Sequence, residues 1–339
     1  VKVGILGAGQ LARMMILNSK HLGLDFVLFC AEITPVTANL AEHVVASFAD
    51  YVALEKFCHA VDVVTFESEN IESATLDFVL RHKNIYPPKE ILLTAQDRLL
   101  EKQLFNSLNI ATNNYMPIES YSDAVTAAEK FGLPLILKSR RLGYDGKNQY
   151  HIKTADQLAA LQNVNLVNFI AESFVPFSYE VSIIGVRNAA GEIRCYDLCC
   201  NVHEAGILRS TKNIVDAELF AAAQTNLHKI MQHFNYVGVL AIEFFVQDGA
   251  LLANEMAPRV HNSGHWTIEG ARVSQFENHI RAIAALPLGD VSSIVRCEMQ
   301  NCIGTMPERN AVLQRGGFYH NYQKEPLPGR KLGHVVYIL

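Results

Sequence analysis

A mixed α/β and α+β fold in two or three domains is predicted from three observations. The chain has 339 residues, 50% hydrophobic and 19% charged, an ordinary globular composition with room for more than one core. It opens on a strand, a glycine turn, a helix and a second strand, the start of a Rossmann-like layer. Beyond Glu180 the apolar runs lengthen and are joined by short turn signals, the pattern of antiparallel hairpins.

Composition also narrows function. A net charge of −5 favours neither nucleic acid nor an anionic membrane as a partner. No apolar run approaches the length of a membrane span. The chain begins directly in strand-like sequence, so no signal peptide is expected. Its seven cysteines are odd in number and scattered, without a disulfide framework or a zinc-ligand spacing, which suits thiols in a reducing cytoplasm.

Val1 to Leu6 reads as a strand, Gly7-Ala8-Gly9 as a tight turn, and Gln10 to about His21 as a helix. Phe26 to Cys30 is the second strand, with Glu32 where a ribose-binding acid would sit. Such a turn can hold a phosphate or a carboxylate at the helix N-terminus. Val61 to Phe66 is another buried strand, ending in Glu67-Ser68-Glu69-Asn70. Acids at that end of a parallel strand lie where such sheets bind ligands; capping of the next helix by Ser68 or Asn70 explains them equally well. Asn84 to Tyr86 adds an edge strand.

Ala95 to Leu108 has the periodicity of one amphipathic helix, with Arg98 and Lys102 one turn apart on a solvated face. A helix over Asp123 to Phe131 and a strand over Pro134 to Lys138 lead into the basic loop Ser139 to Gln149. This loop lacks Gly-Lys-Ser/Thr and no helix follows it, so it is not a Walker loop. Its amides and cations, with Lys138 at its mouth, can still fold over phosphates, and Gly143 to Gln149 is expected to act as a lid. Leu166 to Ala171 is a strand ending in Glu172, and Glu180 opens a longer one, Val181 to Val186. After a turn at Asn188 to Gly191, Ile193 to Val202 is its partner, and His203 to Ile207 leaves it. Ala217 to Phe234 and Ser274 to Ala285 are helices, and the last segment returns to strands.

The densest chemistry lies between Gly238 and Gly270. Val239 to Val246 places Leu240, Ile242, Phe244 and Val246 on one face and Glu243 on the other. Asp248-Gly249 signals a hairpin, and the return strand carries Glu255. A two-residue turn would oppose Glu243 to Asn254 and send Glu255 to the other face. A three-residue loop, Gln247 to Gly249, makes the two acids same-face diagonal neighbours, and this register is favoured. Two like charges at 4 Å repel by roughly 4 kcal/mol at an effective dielectric of 20. A proton or a divalent cation must offset that, and oxygen-only ligands suit magnesium. Pro258 to Thr267 then packs Arg259, His261, Asn262, Ser263, His265 and Trp266 into one polar loop, read as part of an active site.

Taken together, GILGAGQLARM, VTFESEN, AQDRLLEKQLF, LKSRRLGYDGKNQ, AESFVPFSYEVSIIG, NVHEAGILR, NEMAPRVHNSGHWT and PGRKLGH resemble the ATP-grasp superfamily. Within it the motifs are most similar to those of the 5-(carboxyamino)imidazole ribonucleotide synthase family. The resemblance implies an N-terminal Rossmann-like (pre-ATP-grasp) domain over 1–93, a linker helix and lid over 94–174, and a large ATP-grasp part with C-terminal strands over 175–339. It implies ATP-dependent carboxylation of 5-aminoimidazole ribonucleotide by bicarbonate through carboxyphosphate, with magnesium or manganese, without biotin, in a cytoplasmic homodimer. By motif, ATP would meet Arg98, Lys138, Gly143, Tyr144, Asp145, Gly146, Lys147, Asn148, Gln149, Glu172, Ser173, Phe174, Val175, Glu180, His203, Asn254 and Glu255. Glu243 and Glu255 would hold the metal. Gln10, Leu11, Glu67, Tyr144, Asp145, Arg330 and Lys331 would meet the ribonucleotide, and Arg259, His261 and Asn262 the bicarbonate. The alternatives are a related ligase such as a formate-using glycinamide ribonucleotide transformylase, a nicotinamide-dependent oxidoreductase built on the first glycine turn, and a non-catalytic nucleotide sensor.

Overall fold

The computed structural model describes residues 1–142 and 149–339. Strands β1 (Lys2–Leu6), β2 (Asp25–Cys30), β3 (Glu42–Val45) and β4 (Val63–Phe66) form a parallel sheet in the order β3-β2-β1-β4. Both of its faces are covered, which explains why β1, β2 and β4 are largely apolar and buried, while β3 at the edge keeps Glu42 and His43 and is only partly covered. Val3, Ile5, Phe26 and Leu28 pack with the helix Gln10–Ser19, while Leu6, Val27, Phe29 and Val64 pack with the helices Tyr51–Ala60 and Ser73–Leu80. The expected edge strand at Asn84 to Tyr86 is only a single bridge between Ile85 and Val64.

A small antiparallel sheet follows: β5 (Tyr115–Ile118), β6 (Leu135–Ser139), β7 (Gln149–Ile152) and β8 (Phe169–Ser173), in the order β5-β8-β6-β7. Helices Tyr121–Phe131 and Ala155–Ala159 close its core.

The largest sheet comprises β9 (Tyr179–Arg187), β10 (Ile193–Cys195), β11 (Leu198–Glu204), β12 (Ile207–Ile214), β13 (Gly238–Gln247), β14 (Ala250–Ala257), β15 (Cys297–Ile303), β16 (Phe318–Asn321) and β17 (Lys331–Ile338). Its order is β14-β13-β9-β11-β12-β15-β17-β16, with β10 against β9. Helix Ala217–His233 packs on one face with Leu240, Ile242, Phe244 and Val246. Helix Gln275–Ile283 packs on the other with Ile184, Val239 and Ala241, in the same core as the first helix. That shared core sets the N-terminal layer against the large sheet and leaves a cleft between them.

Three sequence expectations are corrected. Ala95 to Leu108 is two helices, Lys89–Ala95 and Arg98–Ser107, because Asp97 caps the second by accepting from the Leu99 N–H. The run Ile193 to Val202 breaks between β10 and β11, where the buried Tyr196 hydroxyl donates to the Val273 carbonyl. His203 to Ile207 is no departing loop: Ala205 and Gly206, both at positive φ, turn β11 back into β12.

Candidate active site

The hairpin β13–β14 carries the two acids. Asp248 and Gly249 both adopt positive φ, so the turn has two residues, not three, and Gln247 pairs with Ala250. A bulge between Glu243 and Phe244 then shifts the register by one. Glu243 therefore lies directly opposite Glu255 rather than diagonal to it. The expected slip sits in the strand and not in the loop, because Asp tolerates the left-handed conformation that a two-residue turn needs. Desolvation and the Glu255 charge push Glu243 up to about 7. Glu101, a buried acid that accepts from the Met256 N–H at 2.6 Å, is pushed up to about 8 by desolvation and by Glu255.

This hairpin forms part of a cleft of about 840 Å³, lined also by Gln10, Leu11, Glu67, Arg98, Lys138, Gln149, Phe174, Glu180, His203, Asn254, Arg259, His261, Asn262 and Lys331. The volume suits a nucleotide with a second small substrate. His203 on β11 holds Glu180 on β9 through Nδ1 at 2.5 Å, and the nearby carboxylates outweigh desolvation to raise its pKa. His261 Nε2 lies 3.5 Å from Glu243, while its Nδ1 meets Ser263 Oγ at 2.8 Å. Burial and the Arg259 charge hold His261 well below the usual imidazole range, so it is a neutral hydrogen-bonding group. The geometry fits a small hard cation: two carboxylates face each other in a cleft, both offering oxygen only.

Arg259 is already engaged. Its Nε and Nη2 bond both oxygens of Glu69 at 2.5 and 3.0 Å, and its Nη1 donates to the Val260 carbonyl at 3.1 Å. The two-pronged face expected for an acid substrate is thus occupied by Glu69, and of the five guanidinium N–H groups two remain for an anion. Glu69 was one of two acids whose role the sequence left open; here it orients the arginine.

Glu67 answers the other half of that question. It accepts from the backbone N–H groups of Gly9 at 2.5 Å and Ala12 at 3.0 Å. The first glycine turn therefore holds the protein's own carboxylate where a dinucleotide reading needs a pyrophosphate. A Cβ at Gly7 would meet Glu67 Cγ at 2.5 Å, so glycine there makes room for this acid.

Glu172, Ser173, Val175 and Arg330 do not line the main cleft. Glu172 is buried and accepts from Asn113 Nδ2 at 3.1 Å, with Lys138 Nζ at 3.1 Å and Lys102 Nζ at 3.5 Å. Against the cost of burial, the two ammoniums pull it down to about 2. Lys102 is 1% exposed, against the solvated face expected, and also donates to Asn113 Oδ1 and the Ala253 carbonyl. Ser173 Oγ accepts from the Asn114 N–H. Arg330 opens on a second cavity of about 420 Å³ beside Gly7 to Gly9, with Lys324. Lys324 faces Glu67 electrostatically and was missed in the sequence, having no motif around it. Gly143, Tyr144, Asp145, Gly146, Lys147 and Asn148, with the lid expected there, lie outside the described residues.

With the geometry described, comparison with known proteins places the chain. The ribonucleotide synthetase preATP-grasp domain family matches residues 1–96, the ATP-grasp domain family 103–276, and the phosphoribosylaminoimidazole carboxylase C-terminal domain family 297–339. N5-carboxyaminoimidazole ribonucleotide synthase of Pseudomonas aeruginosa is 43% identical over 338 residues, covering 99% of this chain and 94% of that one. The crystal structure of N5-carboxyaminoimidazole ribonucleotide synthetase from Thermus thermophilus superposes with a TM-score of 0.94 at 40% identity, covering 99% of this chain and 93% of that chain. The Aspergillus clavatus N5-carboxyaminoimidazole synthase in complex with ADP and 5-aminoimidazole ribonucleotide gives 0.89 at 28%, covering 100% and 93%.

Proposed function

The chain belongs to the N5-carboxyaminoimidazole ribonucleotide synthase family of ATP-grasp enzymes, and from that membership we propose how its own residues divide the work. It is an ATP-dependent C–N ligase that carboxylates 5-aminoimidazole ribonucleotide in purine biosynthesis. ATP enters between the small sheet and the large one. Arg98, Lys138 and Gln149 meet its phosphates, together with residues 143–148. The backbone of Glu172 to Val175 takes adenine, Glu180 takes ribose with His203 behind it, and Asn254 stands beside Glu255. Gln10, Leu11, Glu67, Arg330 and Lys331 take the ribonucleotide, with Tyr144 and Asp145. The segments 1–93, 94–174 and 175–339 are the three working parts.

Glu243 and Glu255 would hold magnesium, which when bound supplies charge neutralisation beside the triphosphate. Arg259, His261 and Asn262 hold bicarbonate. A bicarbonate oxygen attacks the γ-phosphorus and ADP leaves, giving carboxyphosphate. The exocyclic amine then forms its N–C bond, to carboxyphosphate or to carbon dioxide released from it, as phosphate departs and the nitrogen sheds a proton. His261, neutral and aimed at the acid pair, orients the anion by hydrogen bonds; Arg259, fixed by Glu69, offers its two remaining N–H groups. Water must be kept from the mixed anhydride once the substrates fill the cleft. No biotin is needed in this scheme. Homodimer formation and a cytoplasmic location complete the reading; no helix among the described residues is long and apolar enough to cross a membrane.

The observation that carries this assignment is the direct opposition of Glu243 and Glu255 within one cleft that also presents Arg259 and His261. The test is phosphate release from ATP with 5-aminoimidazole ribonucleotide, with and without bicarbonate. Release requiring all three substrates and magnesium is expected. Release with formate and glycinamide ribonucleotide instead would move the chain to the sister ligase.

A further inference from the structure

Behind the bicarbonate loop lies a row of imidazoles that none of the assigned roles uses. His265 is 2% exposed and lines the cleft, yet its Nδ1 finds no hydrogen-bond partner among the described residues. Its ring lies 4.9 Å from that of His334, which is fully buried and whose Nε2 is likewise unpartnered. His334 Nδ1 meets Tyr322 Oη at 2.7 Å, and Tyr322 also lines the cleft. His320, directly opposite His334 on β16, stacks on it at 4.3 Å and meets Glu269 Oε1 through Nε2 at 2.7 Å. Glu269 Oε2 and Asn301 Oδ1, the latter opposite His334 on β15, are also buried without partners among the described residues. The row ends in solvent, since the His320 side chain is 28% exposed.

A histidine that only fills a core looks different in this protein. Fully buried His279 meets Thr65 Oγ1 through Nε2 at 2.8 Å and accepts from the Val239 N–H through Nδ1 at 3.1 Å. Leaving a buried polar atom unpaired costs about 1–3 kcal/mol. Four such atoms around one row point to ordered water, which makes about three hydrogen bonds to buried groups of this kind.

We propose that His265, His334 and His320, bridged by water and ending at Glu269, carry away the proton released when the amine is carboxylated. This rests on the carboxylation chemistry assigned above. In each turnover the N–C bond forms, the bond from carbon to the departing oxygen breaks with its electrons on that oxygen, and one N–H proton must leave a cleft crowded with phosphates. A neutral imidazole takes a proton on one nitrogen and releases another from its far side. Burial, with His261, His320, Lys331 and Arg259 around His265 and with His320 and His265 around His334, disfavours a resident charge on either ring, so a proton is passed through the two nitrogens and not stored there. The row passes the proton outward to His320, the partly exposed member, which the buried Glu269 carboxylate holds through Nε2. His265 receives it from the cleft; His334 and His320 act beyond the reacting atoms.

The test is the single-turnover rate of N–C bond formation in the full chain, with parent, His265→Ala and His320→Gln side by side. His265→Ala is expected to slow the step about 10- to 100-fold, with ATP affinity unchanged and a larger solvent deuterium effect. Added imidazole should restore the rate saturably, more so at higher pH where it is the free base. His320→Gln, on a partly exposed side chain with little folding risk, should show a smaller loss and the same isotope signature. Rates equal to parent in both variants, or losses that imidazole does not restore and that leave the isotope effect unchanged, would overturn the relay. A parent that fails to carboxylate the ribonucleotide overturns the underlying reading instead, and the relay with it.

Discussion

Glu172 and Glu243 are both carboxylates withdrawn from water on strands of this cleft region, and their protons are held in opposite directions. Glu172 is surrounded by Lys102, Lys138 and Asn113 and is pulled down to about 2. Glu243 faces Glu255 and is pushed up to about 7. The first cluster is completed by the protein's own cations. The second has its nearest ring nitrogen, that of His261, at 3.5 Å, on a histidine held neutral. A charge balanced from within is scaffold; a like-charged pair left in a cleft is a place for something that arrives with the substrate.

The sharpest way to break this contrast is to remove one acid from each cluster. Glu255→Gln should lower turnover on the order of 10⁴-fold, or ~5 kcal/mol of barrier. Metal-free stability should not fall, because the mutation relieves a repulsion. Steady-state phosphate release at saturating magnesium, with a denaturant titration beside it, reads both quantities. Near-parent turnover would put the metal elsewhere.

Glu172→Gln should do the reverse, chiefly to stability. It strands Lys102, 1% exposed, without its counter-charge. Removing one partner of a buried pair costs about 3–5 kcal/mol. Urea unfolding of the variant should show that loss with an unchanged slope. A change within about 0.5 kcal/mol would mean that Asn113 and the Ala253 carbonyl alone satisfy the lysine.

The two clusters also differ in how far they can be read from sequence. The acid pair was legible because β13 alternates cleanly and Asp248-Gly249 announces the turn. The direct opposition was not, because a bulge depends on cross-strand packing and not on any local residue. Lys102 was misread for a similar reason. Helical periodicity says which face it shares with Arg98, but its partners Asn113, Glu172 and Ala253 come from other elements. Glu69 and Glu67 were visible as acids at a strand end. That one clamps Arg259 and the other fills the glycine turn follows from the packing of the N-terminal layer on the large sheet. The Rossmann-like start, the long helices and the order of the hairpins were legible because each rests on local pattern.

Arg259 differs from both clusters, being a cation clamped to Glu69 yet within electrostatic reach of Glu243 and Glu255. Arg259→Ala is expected to raise the bicarbonate requirement about 30- to 1,000-fold, a loss of about 2–4 kcal/mol, while ATP affinity holds. Product formation against bicarbonate, with ATP binding measured by titration, separates the two. Lost ATP affinity with unchanged bicarbonate dependence would assign the arginine to the nucleotide.

The smallest expected effect tests the contrast without asking for catalysis. In the metal-free protein Glu243 titrates near 7 when folded, above its ordinary value of 4.5. As pH rises between those values the unfolded chain gives up the proton while the folded chain keeps it. Stability from this group is therefore present below about 4.5 and lost as pH climbs through about 7. A full shift of this kind is worth about 3 kcal/mol, and partial contact with solvent in the cleft reduces it to about 1–3. Glu172 has the opposite sign: its contribution is present above 4.5 and is lost as pH falls toward about 2. His203, raised above its ordinary value by its acid neighbours, adds to the fall with rising pH, so the raw profile mixes several groups. The difference between parent and Glu243→Gln isolates the acid pair. That difference should slope downward with rising pH from about 4.5 to 7 without metal. Magnesium should flatten or invert it, since a cation competes with the proton for the same oxygens. A flat metal-free difference, or one that magnesium leaves unchanged, would show that Glu243 is stabilised from within as Glu172 is, and the distinction between the two clusters would fail.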